Sequence, residues 1–231
     1  MIEQIKKELK EKTDSKRAEI MQRYFKTGKG EYGEGDVFIG INMPDQRVIA
    51  KKYFQLPLAK IQYLLDSEIH EERSLGALIL NYKYEKYSEQ EKANIVDFYL
   101  KNAKRFNNWD LVDITATKIL GDFLVDKKKD VLYRLVKSKN LWEKRIAIIS
   151  TFAFIKKDQF GDTLEISELL LGDSHDLMHK AVGWMLREVG KKNKDVLRSF
   201  LGKNYKQMPR TMLRYSIERF DEKERKKWLK K

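Results

Sequence analysis

The chain has 231 residues, 42% hydrophobic and 36% charged, with no cysteine and a net charge of +13. That is enough chain and apolar side chain to bury a core, and it excludes disulfide and thiolate chemistry. No apolar run approaches membrane-spanning length and no export signal is visible, so a cytoplasmic protein is expected.

Glu3 to Glu11 has helical periodicity, and Ser15 can cap a second helix ending at Phe25. Lys26 to Asp36 is a glycine-rich loop. It contains Gly28-x-Gly30-x-x-Gly33, the letters of a dinucleotide fingerprint. The run follows a helix rather than a strand, so no nucleotide cofactor is expected. Val37 to Ile41 is the one strand-like run, and a buried extended connector suits it better. Met43-Pro44 opens the next helix, with proline in the first turn, to Phe54. Further helices are expected over Pro57–Leu65, Ile69–Tyr84 and Ser88–Phe106, the last with a Ser88/Glu91 capping box.

Asn108 is a candidate N-cap for a helix from Trp109 to about Val125. Val112, Ala116, Ile119, Leu120 and Phe123 form its apolar stripe. Trp109 and Asp113 lie four apart, on one face, with Asp113 at the edge of that stripe. A carboxylate there is either an ordinary first-turn acid favoured by the helix dipole or a working group. Asp130–Val136 and Asn140–Ile155 follow, the second with an Asn140/Glu143 box. In the latter, Arg145 projects from a wide apolar face and Lys156 lies three turns further along it. A cation so placed pairs with a carboxylate, for which Asp113 is the candidate, or lines a groove. Leu164–Leu170, Ser174–Val189, Asp195–Leu201, Met208–Phe220 and Asp221–Leu229 complete the helices.

About a dozen helices with short connections and no sheet describe an all-α chain. The spacing suits a HEAT-like helical-repeat superhelix, an α-α solenoid forming a single domain over 1–231. Charge is uneven: Asp176 to Lys231 holds 17 Lys and Arg against 7 Asp and Glu, so +10 of the +13 falls there. Such a segment suggests a phosphate-binding surface. Within it Leu177, Met178, Ala181, Val182, Met185 and Val189 make a core stripe. Trp184 stands off that stripe with Lys180, Arg187 and Lys191, as suits contact with a sugar or base beside phosphates, or a tryptophan packed under lysine stems. His175 and His179 are four apart, but no third ligand can be named and no metal is expected. His70, in a charged run, is expected to be solvated.

Several segments carry a family resemblance. Arg23-Tyr24-Phe25-Lys26, Phe38-Ile39-Gly40-Ile41, Trp109-Asp110-Leu111-Val112-Asp113, Trp142-Glu143-Lys144-Arg145, Gly183-Trp184-Met185-Leu186-Arg187-Glu188 and Met208-Pro209-Arg210 follow one another in the order seen in the AlkD-type DNA alkylpurine glycosylases, the DNA alkylation repair enzymes. The chain resembles that family over nearly its whole length. The resemblance implies a HEAT-like superhelix that cradles duplex DNA and excises N3- and N7-alkylated purines in base-excision repair, leaving the lesion stacked. It makes Asp113 the catalytic aspartate, Trp109 and Trp184 the sugar-contacting tryptophans, Arg145 the groove arginine and Tyr24 an aromatic at the DNA face. Lys156, Lys180, Arg187, Lys191, Arg210 and Arg214 are the expected DNA-binding cations. The expected partner is duplex DNA bound by a monomer, with no membrane, metal or cofactor. Asn108 departs from the bulkier residue often found before the tryptophan, and the Gly28–Gly35 loop occurs in branches of weaker activity. Two other functions compete: an inactive member of the fold that binds DNA structures, and a helical-repeat scaffold that binds protein. The second predicts an apolar concave face rather than a basic stripe.

Overall fold

Helices account for all the regular structure in the computed structural model, which describes residues 1–230; Val37 and Ile69 form one isolated parallel bridge and no strand occurs among the described residues. The chain divides into two compact units, Met1–Thr115 and Ala116–Lys231.

The first unit contains α1 (Ile2–Lys10), α2 (Ser15–Tyr24), α3 (Met43–Lys52), α4 (Leu58–Leu65), α5 (His70–Lys86), α6 (Glu89–Lys101), a 3-10 turn (Ala103–Arg105) and α7 (Trp109–Thr115). Helix α5 is the centre of this unit, packed by α3, α4, α6 and α7. Its middle supplies Leu75, Ala77, Ile79 and Leu80, each with no exposed surface. Its first turn is also buried, although it reads His70-Glu71-Glu72-Arg73. The reason lies in the connector before it. Beyond the Val37–Ile69 bridge, residues 38–41 belong to no helix or strand, so their backbone N–H groups need acceptors. Glu71 supplies them: its carboxylate accepts from the N–H groups of Ile39, Gly40 and Ile41 at 2.8–3.2 Å.

The second unit contains a π turn (Thr117–Gly121), α8 (Asp122–Leu124), α9 (Asp130–Val136), α10 (Leu141–Ser150), α11 (Phe152–Lys156), α12 (Gly161–Leu169), α13 (Asp176–Lys192), α14 (Lys194–Asn204), α15 (Arg210–Ser216) and α16 (Glu222–Leu229). Here α10 and α13 are the inner helices. The first packs on α9 and α13, the second on α14 and α15.

Local sequence accounts for most helix ends. Ser88 and Glu91 form the expected capping box, and each of the three prolines, Pro44, Pro57 and Pro209, sits at a helix start. Four expectations change. The α2 cap is Asp14, which accepts from Arg17 N–H, and not Ser15. Helix α13 starts at Asp176 and not at Ser174, with His175 Nδ1 accepting from Leu177 N–H as its cap. Asn140 accepts from Trp142 and Glu143 N–H, but Glu143 turns to Ser138 instead of closing a box.

The fourth change is in the long helices. The Trp109–Val125 run stays helical but widens after Thr115 into the π turn, where Gly121 N–H reaches back to Ala116 O at 2.8 Å. A Cβ on Gly121 would stand 2.3 Å from Ser150 O, so the tight approach of α10 requires glycine there. The Asn140–Ile155 helix is two. Ser150 and Thr151 turn their hydroxyls onto the carbonyls of Ile146 and Ile148, each at 2.7 Å, and the helix ends between them.

Candidate active site

The residues of the expected site fall into two groups, one in each unit, and each is built by its own local packing. In the first unit, α7 starts after Phe106, which is fully buried. Asn108 is fully buried too, and it is not a conventional N-cap. Its Oδ1 accepts from the N–H of the very next residue, Trp109, at 2.8 Å, and its Nδ2 donates to Asp36 at 3.2 Å. Trp109 is half-buried. Its ring stacks on Phe25 at 5.2 Å and meets Tyr24 edge-on at 6.0 Å. Its Nε1–H donates to the Tyr32 hydroxyl at 3.2 Å. Tyr32 belongs to the glycine-rich loop, so that loop fixes the indole. Tyr24, the last residue of α2, is 65% exposed.

Asp113 is half-buried, one turn after Trp109. Its charge reaches Tyr99, a fully buried phenol hydrogen-bonded to Thr115 at 3.0 Å. Burial pushes that phenol's pKa up and the Asp113 charge adds to the shift.

Beneath this site lies a cluster that the sequence concealed. His70 is 1% exposed, not solvated. Its Nδ1 is 3.2 Å from Asp36 Oδ2 and its Nε2 2.8 Å from Asp110 Oδ2. Asp36 also takes Arg73 at 2.6 Å, with Asn107 and Asn108 beside it. Phe38 stacks on the imidazole at 4.4 Å, and Phe25 lies between Phe38 and Trp109. Burial pushes the His70 pKa down, but the charge and hydrogen bond of Asp110 and the bond to Asp36 outweigh it and raise it to about 9. Burial pushes Asp36 up, yet the His70 bond and the Arg73 charge hold its carboxyl below the usual range. Two carboxylates and two cations thus balance inside the unit.

The glycine loop has its own carboxylates. Glu31 accepts from Gly28 N–H at 3.0 Å and Glu34 from Gly30 N–H at 2.8 Å. The groups a phosphate would use are taken by acids, which agrees with the mismatch seen in the sequence.

In the second unit Trp184 stands half-buried on α13, off the core stripe, against Phe152 at 6.1 Å. Its neighbours are less basic than the cations alone suggest. Glu188, 8% exposed, accepts from Trp184 Nε1 at 3.2 Å, pairs with Lys191 at 2.7 Å and lies 3.4 Å from Arg187. Arg187 also pairs with Glu218, and Lys180 pairs with Asp176 at 2.7 Å. Glu188 was legible as the residue one turn beyond Trp184.

Arg145 is 5% exposed, and its Nη1 donates to Leu177 O at 2.7 Å. Lys156 belongs to α11; it is exposed, with its ammonium 4.6 Å over the Phe152 ring. Arg210 donates to Leu229 O at 2.8 Å at the surface, and Arg214 is exposed. His179 Nε2 is 2.6 Å from Asp173 O, so both histidines of that pair serve the start of α13.

The family model described as DNA alkylation repair enzyme matches residues 5–220. The chain belongs to the DNA alkylation repair enzyme family. Membership supports an enzymatic role in alkylation repair, with DNA as the partner. The chain is also similar to a solved structure described as "Predicted DNA alkylation repair enzyme from Enterococcus faecalis", at 17% identity and a TM-score of 0.70, covering 91% of this chain and 98% of that one. At that identity the likeness shows a shared all-helical fold. No curated protein sequence matches the chain. No helix among the described residues is long and apolar enough to cross a membrane.

Proposed function

We propose that this family member is a monofunctional DNA glycosylase that removes N3- and N7-alkylated purines from duplex DNA in base-excision repair. The observation that carries the reading is the pairing on α7 of a half-buried indole, held by Tyr32 and Phe25, with a half-buried carboxylate one turn on. The chemistry asks for little more. An N3- or N7-alkylpurine is already cationic, so its glycosidic bond breaks with the electron pair going to the base, which leaves neutral. The sugar is left as an oxocarbenium ion. Water adds to its C1′ and gives up a proton, and an abasic sugar results. The Asp113 carboxylate stabilises the cationic sugar and orients the water; the indole faces of Trp109 and Trp184 add attraction for the cation. Arg145 is the groove cation, and Tyr24, Lys156, Lys180, Arg187, Lys191, Arg210 and Arg214 face the backbone. A HEAT-like repeat architecture acting as a monomer in the cytoplasm, as one functional domain, completes the proposal.

Release of 7-methylguanine from alkylated duplex DNA tests it. No release above the spontaneous rate would sink it in favour of a DNA-structure-binding protein. The three cations around Trp184 are each already paired with an acid, so either DNA-binding reading requires those pairs to open at the phosphates.

A further inference from the structure

The His70 cluster lies under Trp109 and takes no part in the chemistry above. It joins three pieces of chain. Asp36 ends the glycine-rich loop that carries Tyr32, His70 and Arg73 open α5, and Asp110 lies in the first turn of α7 between Trp109 and Asp113. We propose that His70 is a positioning residue for excision: by bridging Asp36 and Asp110 it ties the loop and α5 to the first turn of α7, and so fixes how Trp109 and Asp113 are presented. The proposal rests on the glycosylase reading.

Every charged group facing His70 takes part. Asp36 faces it from the loop, Asp110 from α7 and Arg73 from its own helix, while Phe25 and Phe38 close the remaining sides. Only the protonated ring can donate from both nitrogens at once. A neutral ring keeps one N–H and turns a lone pair toward the other carboxylate, which repels it. Asp36 is held by Arg73, Asn107 and Asn108 whichever state His70 takes. Asp110 has no such support. Among the described residues its other oxygen accepts only from Leu111 N–H, and its side chain is 14% exposed. Loss of the proton therefore breaks one of the two links, and the loop and α5 are no longer tied through His70 to the turn that carries Trp109.

The test uses the whole protein. The titration of the His70 ring and the Trp109 indole N–H signal are followed by NMR in the free protein. Single-turnover release of 7-methylguanine from duplex DNA is measured beside them from pH 6 to 10.5. In the wild type the indole signal moves with the His70 midpoint. In Asp110→Asn the midpoint falls by a pH unit or more, and both the indole shift and the falling limb of the excision rate move down with it. His70→Gln loses about tenfold in rate while duplex affinity stays within twofold. A purely structural His70 would move none of these profiles. An excision profile of Asp110→Asn parallel to the wild type, or an indole signal that stays still while His70 titrates, overturns the proposal. If His70→Gln does not fold, Asp110→Asn carries the test. If the wild type releases no base, the glycosylase reading fails, and the Trp109 signal still decides whether His70 positions that residue.

Discussion

Trp184 donates its indole N–H to Glu188 Oε1 at 3.2 Å, one turn further along α13. The same carboxylate pairs with Lys191 and adjoins Arg187. One acid thus sets both the orientation of the tryptophan and the charge of the surface around it. Glu188→Gln keeps an acceptor for the indole and removes the negative charge. Lys191 then becomes available to phosphates, while Arg187 keeps Glu218. We expect tighter duplex binding and a salt slope steeper by about one released counterion. Binding measured over a series of salt concentrations checks this, and an unchanged slope would mean that Lys191 does not meet the DNA backbone.

A second expectation concerns stability and pH. The His70 pKa rises from 6.5 to about 9 on folding, so its stabilisation is complete below pH 6.5 and is lost as pH rises through about 9. Asp36 is lowered from 3.8, so its contribution is present above that value and is lost as pH falls through the folded pKa. The cluster is therefore most stabilising between these two unfolded values. At roughly 1.4 kcal/mol per unit, the His70 part is on the order of 3 kcal/mol. Thermal unfolding from pH 5 to 10 should show a decline above neutrality that is absent in His70→Gln. Parallel curves would refute it.

The contrast between these two sites shows what a sequence carries. Helix ends were legible where their chemistry is local: Ser88 with Glu91, proline at α3, α4 and α15, and α9 at its expected bounds. Trp184 off the core stripe and Asp113 at a stripe's edge followed from periodicity, and both are half-buried. His70 is buried although its charged run predicts a solvated ring, because its burial is decided by Asp36, 34 residues earlier, and Asp110, 40 residues later. A run of His-Glu-Glu-Arg gives no local sign that an unpaired extended segment will need its carboxylates. The π turn after Thr115 is equally invisible to periodicity, because it arises where α10 presses on Gly121.

Gly40 is the backbone position on which that connector depends. Its φ is +82°, and an added Cβ would stand 2.0 Å from Asp14 O and 2.8 Å from Ala18 N. Both obstacles are backbone, so no side chain can move to relieve them. Gly40→Ala should cost roughly 3 kcal/mol or more and lower the melting temperature by about 10 °C. Gly202→Ala is the control. It lies inside α14 with open space where a Cβ would go, and should be neutral or stabilising by up to about 1 kcal/mol. Equal melting temperatures for the two variants would contradict the assignment of strain to Gly40.

The last expectation concerns Asp113 itself. It lies on α7 one turn after Trp109, half-buried, with its charge felt by the buried Tyr99. A carboxylate can stabilise an oxocarbenium-like sugar; an amide of the same shape offers a dipole and no charge. Asp113→Asn should therefore fold and bind duplex DNA as the wild type does. A negative charge near the phosphates is gone, so binding should be equal or slightly tighter. The single-turnover release of 7-methylguanine should fall by roughly 10²–10³-fold, the scale on which removal of one preorganised electrostatic group acts. Asp113→Glu should be intermediate, since the charge survives while its position shifts by a methylene. Binding and release measured on the same duplex separate the two effects. Release by Asp113→Asn at the wild-type rate would make Asp113 a structural acid near the start of α7, and the proposed mechanism would then have no group to stabilise the sugar.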